Sequence, residues 1–257
     1  MIIRILGCGT STGVPIPACS CQVCTSSDPR NNRTRASALI TFNDQQSLLI
    51  DACTDLRHQV LKWGVKNVHA VLFTHPHSDH ILGLDDLRGF NFVQSEPIPC
   101  FACKDTLQEL RRIFPYAFEP PPNYLGGQLV QLDFHEISPP QPFIALGKEI
   151  QPFLLMHGTK AATGYRIGDF AYATDCNHIP PQSKALLKGL RCLILDGLRH
   201  QPHATHFTIS QAIEVAMELN AEITYLTHMT HDVDYESVSA KLPAKVRLAY
   251  DGLEIKL

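Results

Sequence analysis

Residues Val68 to Leu84 read VHAVLFTHPHSDHILGL, and they constrain the chain more than any other stretch. Val71-Leu72-Phe73 is an apolar, strand-like run. It breaks at Thr74 into His75-Pro76-His77-Ser78-Asp79-His80, and a helix is expected to begin near Ile81. Imidazole and carboxylate are the common ligands of zinc and similar divalent ions. On a turn that ends a buried strand, His75 and His77 can grip one ion while Asp79 and His80 point to another. A polar loop rich in histidine by chance needs no such density of ligand types after a buried strand.

The rest of the composition fits a globular chain around that turn. With 257 residues, 44% hydrophobic and 18% charged, the protein can bury a sizeable core. Net charge is -3, with no block of basic residues. Stable binding to nucleic acid or to an anionic membrane is therefore not expected, whereas a small phosphorylated substrate is compatible. The chain opens directly on strand-like Met1 to Leu6, without a signal-peptide pattern, and no apolar run nears the roughly 20 residues of a membrane span. A cytoplasmic protein is the expectation. Nine cysteines, an odd count, then point to metal or buried thiols and not to a disulfide framework.

Along the chain, strands are expected at Ala38 to Phe42 and Ser47 to Ile50, turning at Asn43 and Asp44. Helical spacing runs from Asp55 to Trp63 and from Thr106 to Phe114. Pro115 to Tyr124, rich in proline and aromatics, reads as an ordered loop, a lid or a subunit contact. Further strands are expected at Pro97 to Ala102, Leu129 to Leu132, Ile150 to Leu155, Thr163 to Ile167, Phe170 to Thr174, Cys192 to Leu195 and Thr224 to Thr227, and Val246 to Ile255 closes the chain. Between them lie a short helix at Ser183 to Leu187 and a longer one at Thr208 to Leu219, with Ile213, Ala216 and Met217 on its apolar side. No linker divides the chain. Residues 1–257 read as one domain of two sheets between helical layers, built from two similar halves.

Single candidate ligands follow apolar strands in the same way: His157, Asp175, Asp196 and His228. Strand ends in layered folds converge on a common crevice, and the His75 to His80 turn still lacks the ligands that close two metal shells. Cys19, Cys21 and Cys24 form a second signature, three thiolates that can fill three of four tetrahedral positions on zinc. Cys100 and Cys103 flank a strand with no second pair nearby and are not read as a metal site. Cys8, Cys53, Cys176 and Cys192 read as small buried hydrophobes. The glycine-rich Gly7 to Pro15 loop lacks dinucleotide or P-loop spacing; it is a tight connection near a site or a direct substrate contact.

Together, His75-x-His77-x-Asp79-His80, His157, Asp175 and His228 resemble the metallo-β-lactamase superfamily. Leu198-Arg199, Pro202-His203, Thr205-His206-Phe207-Thr208 and the run Tyr225 to Tyr235 are similar to its PhnP-type branch, which hydrolyses cyclic phosphodiesters and is related to tRNA 3′-processing endonucleases. The resemblance covers essentially the whole chain. It implies an αββα sandwich, two mixed β-sheets flanked by helices. It implies that His75, His77 and His157 bind one metal, that Asp79, His80 and His228 bind the second, and that Asp175 bridges them. Asp79 and His206 are the implied catalytic residues, His206 as general acid, with His200 and His203 as nearby competitors. His231 is the implied fourth ligand of a structural zinc with Cys19, Cys21 and Cys24. Asp51 and Asp196 read as carboxylates that orient ligand histidines.

The implied cofactors are two divalent ions, manganese or zinc with iron also compatible, plus the structural zinc. The implied activity is hydrolysis of a small, cyclic phosphodiester by a water acidified between two cations. A homodimer is implied as well. The rival readings are a tRNA 3′-processing endonuclease, for which no long basic insertion is present, and a metal-binding accessory of a biosynthetic pathway without turnover.

Overall fold

Apolar residues run unbroken along the central strands, and because successive side chains point to opposite sides, the first sheet is buried on two faces. In the computed structural model, which describes residues 1–257, that sheet contains β1 (Ile2–Gly7), β2 (Ser37–Thr41), β3 (Ser47–Ile50), β4 (Ala70–Leu72), β5 (Ile98–Cys103) and β6 (Leu132–Ile137). The second sheet contains β7 (Phe143–Ala145), β8 (Lys148–His157), β9 (Lys160–Ile167), β10 (Phe170–Ala173), β11 (Cys192–Asp196), β12 (Ile223–Thr227) and β13 (Val246–Leu248). The last strand, β14 (Glu254–Lys256), returns to pair antiparallel with β1. Spatial order is β14-β1-β2-β3-β4-β5-β6 in one sheet and β13-β12-β11-β10-β9-β8-β7 in the other.

Leu48 and Ile50 of β3 join the 47-residue core that links the sheets, while Leu49 between them joins a second core under the helices. Ala70 and Leu72 against Val71 repeat the pattern in β4. The covering helices are α1 (Leu56–Lys62), α2 (Ser78–Ile81), α3 (Arg88–Gln94), α4 (Lys104–Ile113), α5 (Pro115–Phe118), α6 (Pro181–Leu186), α7 (Ile209–Leu219) and α8 (Tyr235–Ser239). This is the expected αββα sandwich. No helix is long and apolar enough to cross a membrane.

Strand direction places the chemistry. β3 to β6 run parallel, and so do β10 to β13. The carboxyl ends of such strands open on a crevice. Asp51 follows β3, His75 follows β4, Asp175 follows β10, Asp196 ends β11 and His228 follows β12. Tyr165 ties the sheets together just below, its hydroxyl donating to the Phe73 carbonyl at 2.6 Å.

Several elements differ from the sequence reading. The helix expected from Ile81 is instead the single turn Ser78–Ile81, so Asp79 and His80 are themselves helical and His77 is the extended residue before it. Strand β6 starts at Leu132, not Leu129. It is an edge strand whose Asp133, His135 and Glu136 are exposed, which hides its alternation. Pro115 starts a helical turn, as proline does well at a first helical position. The loop after it packs where β5 and β6 begin, around Pro97 and Leu132, at the opposite end from the ligand-bearing strand ends. It is no lid over them. On α7 the buried side is Ile209, Ala212, Ala216 and Leu219, with Met217 half exposed. Thr208 caps that helix in a capping box with Gln211.

Arg33 is the largest fully buried side chain. Its guanidinium donates to the carbonyls of Arg30, Thr230 and Val233 and to Asn31 Oδ1, at 2.6 to 3.2 Å. It thereby grips the segment that follows His228. Arg33→Met is expected to leave these acceptors buried and unpaired, lowering stability by on the order of 3–5 kcal/mol. Urea unfolding checks this; a loss below about 1 kcal/mol would mean water replaces the guanidinium.

Candidate metal centre

The turn after β4 folds its donors inward. His75 is buried, and its Nε2 lies 3.0 Å from His77 Nδ1 and 3.5 Å from Asp175 Oδ2. His157, at the end of β8, joins them: the ligand atoms of His75, His77, His157 and Asp175 all lie within 4.8 Å of one another. A second group shares Asp175. His80 Nε2 is 3.3 Å from Asp79 Oδ2 and 3.4 Å from Asp175 Oδ2, while His228 Nε2 is 3.3 Å from Asp175 Oδ1 and 3.5 Å from Asp79 Oδ2. The chain thus brings together all seven residues expected at two metals, with Asp175 between the groups.

The donor set fits cations. Burial keeps the imidazoles of His75, His77 and His157 below their usual range, so they are neutral and can donate a lone pair. Asp79 and Asp175 stay ionised despite burial, because imidazoles face them. His80 Nε2 and both ring nitrogens of His228 are buried without a hydrogen-bond partner. Orphaned nitrogens aimed at two buried carboxylates are the arrangement a pair of divalent cations satisfies.

A surrounding layer fixes the rings. Asp51 holds His80 Nδ1 at 2.7 Å, and is itself held by the amide and hydroxyl of Thr74, both at 2.8 Å. His157 Nδ1 donates to the Thr205 carbonyl at 2.9 Å. Asp196 behaves otherwise than expected: it orients no residue of the two groups but holds His206 Nδ1 at 2.7 Å. Burial disfavours charge on His206, yet Asp196 overcomes this and raises the imidazole to about 8, so it carries a proton at neutral pH. Its ring stacks on His228 at 4.8 Å and lies 4.6 Å from His157. His200 and His203 are exposed, and only His203 comes near, 5.2 Å from His206 between ring centres.

Sequence reasoning could not see the backbone at these positions. Asp51, Asp175 and His228 all have positive φ, 58° to 63°, where a side chain is strained. Each costs on the order of 1–3 kcal/mol, which the surrounding packing must hold. The turn it makes swings each side chain off its strand end and into the crevice.

The three cysteines fold onto the far segment as expected. The sulfurs of Cys19, Cys21 and Cys24 lie 3.3, 3.5 and 3.5 Å from His231 Nδ1. The amide of Cys24 donates to Cys21 Sγ and lowers that thiol to about 6, toward the thiolate that binds metal. Cys100 is buried within β5 and Cys103 meets the Thr163 hydroxyl; neither joins a metal-type group. Cys8, Cys53, Cys176 and Cys192 are buried thiols.

Known proteins resemble this arrangement. A family model described as a beta-lactamase superfamily domain matches residues 46–229. A crystallised diphosphatase from the PhnP family is 37% identical, with a TM-score of 0.92 over 100% of this chain and 97% of its own. The octanoyltransferase of Porphyromonas gingivalis is 37% identical over 252 residues, which are 97% of this chain. This chain spans about half the length of that relative, 50% of it. Zn(2+)-bound PqqB from Methylobacterium extorquens, at 19% identity, shares the fold with a TM-score of 0.80 over 100% of both chains.

Proposed function

This chain belongs to the metallo-β-lactamase superfamily and, within it, to the PhnP family, and from there we propose that residues 1–257 form one binuclear metal-dependent phosphodiesterase acting on a small, cyclic phosphodiester. On this reading His75, His77 and His157 would hold one divalent cation and Asp79, His80 and His228 the other, with Asp175 available to both groups. When bound, two such cations would supply an acidified water and a Lewis acid for the phosphoryl oxygens. The protein supplies the rest. Asp51 and the Thr205 carbonyl fix the ligand rings. Water adds to phosphorus, the bond from phosphorus to the leaving oxygen breaks, and His206 gives its proton to that oxygen.

The observation that carries the proposal is the His206–Asp196 pair, set against His157 and His228 at the edge of the cluster. A thiolate leaves without help, so a thioesterase has little use for a charged acid there. An alkoxide needs the proton. His206→Gln is therefore expected to slow an alkyl or ribosyl phosphodiester by on the order of 10²-fold, and a p-nitrophenyl ester far less, because nitrophenolate leaves unassisted. Equal losses on both substrates would remove His206 from the role of proton donor.

Two findings favour neighbouring readings. The PhnP-family relative is described as a diphosphatase, and the same machinery can cleave a phosphoanhydride. PqqB-like relatives, described as synthesis proteins for a coenzyme, suit an accessory role. Assaying a panel of cyclic phosphodiesters against small diphosphates and a tRNA precursor separates these readings. Turnover of the cyclic esters is expected, and no turnover of any member supports the accessory role.

A further inference from the structure

A pocket of about 250 Å³ opens beside His206, whose ring stacks on His228. Thr10, Ser11 and Thr12 line it from the loop after β1, Arg199 and His203 from the loop after β11, and Asp232 from the segment after β12. His206 forms one wall and His231 of the cysteine cluster forms another. Arg199 spends Nε and Nη2 on the carbonyls of Gln201 and Pro202, which leaves Nη1 uncommitted. His203 Nδ1 is engaged by the Thr205 hydroxyl at 3.1 Å, which leaves Nε2. The pocket therefore offers hydroxyls, one guanidinium, one ring nitrogen and one carboxylate.

We propose that this pocket is the leaving-group subsite, that it takes an uncharged group carrying hydroxyls, and that the Cys19, Cys21, Cys24 and His231 cluster is its back wall. The inference rests on the phosphodiesterase reading above. If His206 protonates the leaving oxygen, that oxygen sits between His206 and the phosphorus. The remainder of the leaving group then extends past His206, and this pocket adjoins that residue. Its chemistry selects the occupant. Asp232, whose Oδ1 lies 4.0 Å from His231 Nε2, shares the pocket with Arg199, so a second phosphate would meet a carboxylate there, whereas hydroxyls find both donors and acceptors. Thr230 to Asp232 line the pocket and also carry His231, whose ring meets all three cysteines. Loss of the cysteine cluster should therefore weaken substrate binding before it touches the reacting atoms.

The test uses the metal-loaded full chain with uridine 2′,3′-cyclic monophosphate. Turnover is followed kinetically, and binding of the slowly cleaved phosphorothioate analogue is followed by calorimetry. Ser11→Val, at an exposed loop position, and Cys21→Ser should each raise KM and the analogue Kd roughly tenfold, the loss of one or two hydrogen bonds, while kcat stays within about threefold. A cluster that only holds the fold would lower the folded fraction and apparent kcat and leave Kd unmoved. Unchanged KM and Kd in folded Ser11→Val overturn the subsite, and this variant decides alone if Cys21→Ser does not fold. Unchanged Kd in folded Cys21→Ser overturns the back wall. If the unmodified protein cleaves neither this substrate nor bis-p-nitrophenyl phosphate, the phosphodiesterase reading itself falls, and the subsite with it.

Discussion

Asp175→Ala is expected to abolish hydrolysis of bis-p-nitrophenyl phosphate, by on the order of 10⁴-fold or more, and to remove active-site metal. The reason is geometric. Asp175 is the one residue common to both donor groups, its Oδ2 facing His75 and His80 and its Oδ1 facing His228. Without it, either group is left with imidazoles and at most one carboxylate. The loss should exceed that of His77→Ala, since His77 serves one group only. The backbone adds a control. At Asp175 φ is 58°, so Asp175→Asn, which suits that conformation, keeps the turn while halving the anionic ligands. It should fold as well as the natural protein and still lose metal. If Asp175→Ala turns over within tenfold of the natural rate, the two-cation scheme is wrong.

Cys21→Ser is expected to have the next largest effect, on stability more than on the chemical step. The cysteine loop and His231 come from opposite ends of the chain, and a metal between them closes a loop of some 200 residues. Binding free energy at such a site is folding free energy. A drop in melting temperature on the order of 10 °C is expected, together with loss of the tightest-held ion. The loop has little else to hold it, with Cys19 to Cys24 all intermediate or exposed except Val23. A melting temperature within about 2 °C of the natural protein would mean the cysteines hold no structural metal.

The site was legible where its chemistry is local. His75 to His80 crowd into one turn, and every lone ligand follows a run of apolar residues, so strand ends could be aligned on one crevice without knowing the sheets. What stayed hidden depends on long-range geometry. Nothing in the sequence says that Asp196 faces His206, since one ends β11, the other lies in the loop after it, and the pairing depends on how that loop folds back. Nothing announces the positive φ at Asp51, Asp175 and His228, because glycine, its usual marker, is absent there. The fold misses have similar causes. Gly89, Phe90, Phe92 and Val93 are weak helix formers, and α3 is held by tertiary bonds from Asn91 to the Glu96 and Gln131 carbonyls. On α7, Ile213 and Met217 flank the buried stripe, and periodicity alone cannot say which apolar row faces the sheet.

The central claim, two cations in the crevice and one on the cysteines, is tested most directly by metal analysis of the purified protein with a parallel count after mild chelation. The account predicts about three ions per chain, falling to about one when the crevice is stripped and activity is lost, with the last ion released only on modification of the cysteines. One ion or none in the untreated, active protein would contradict it.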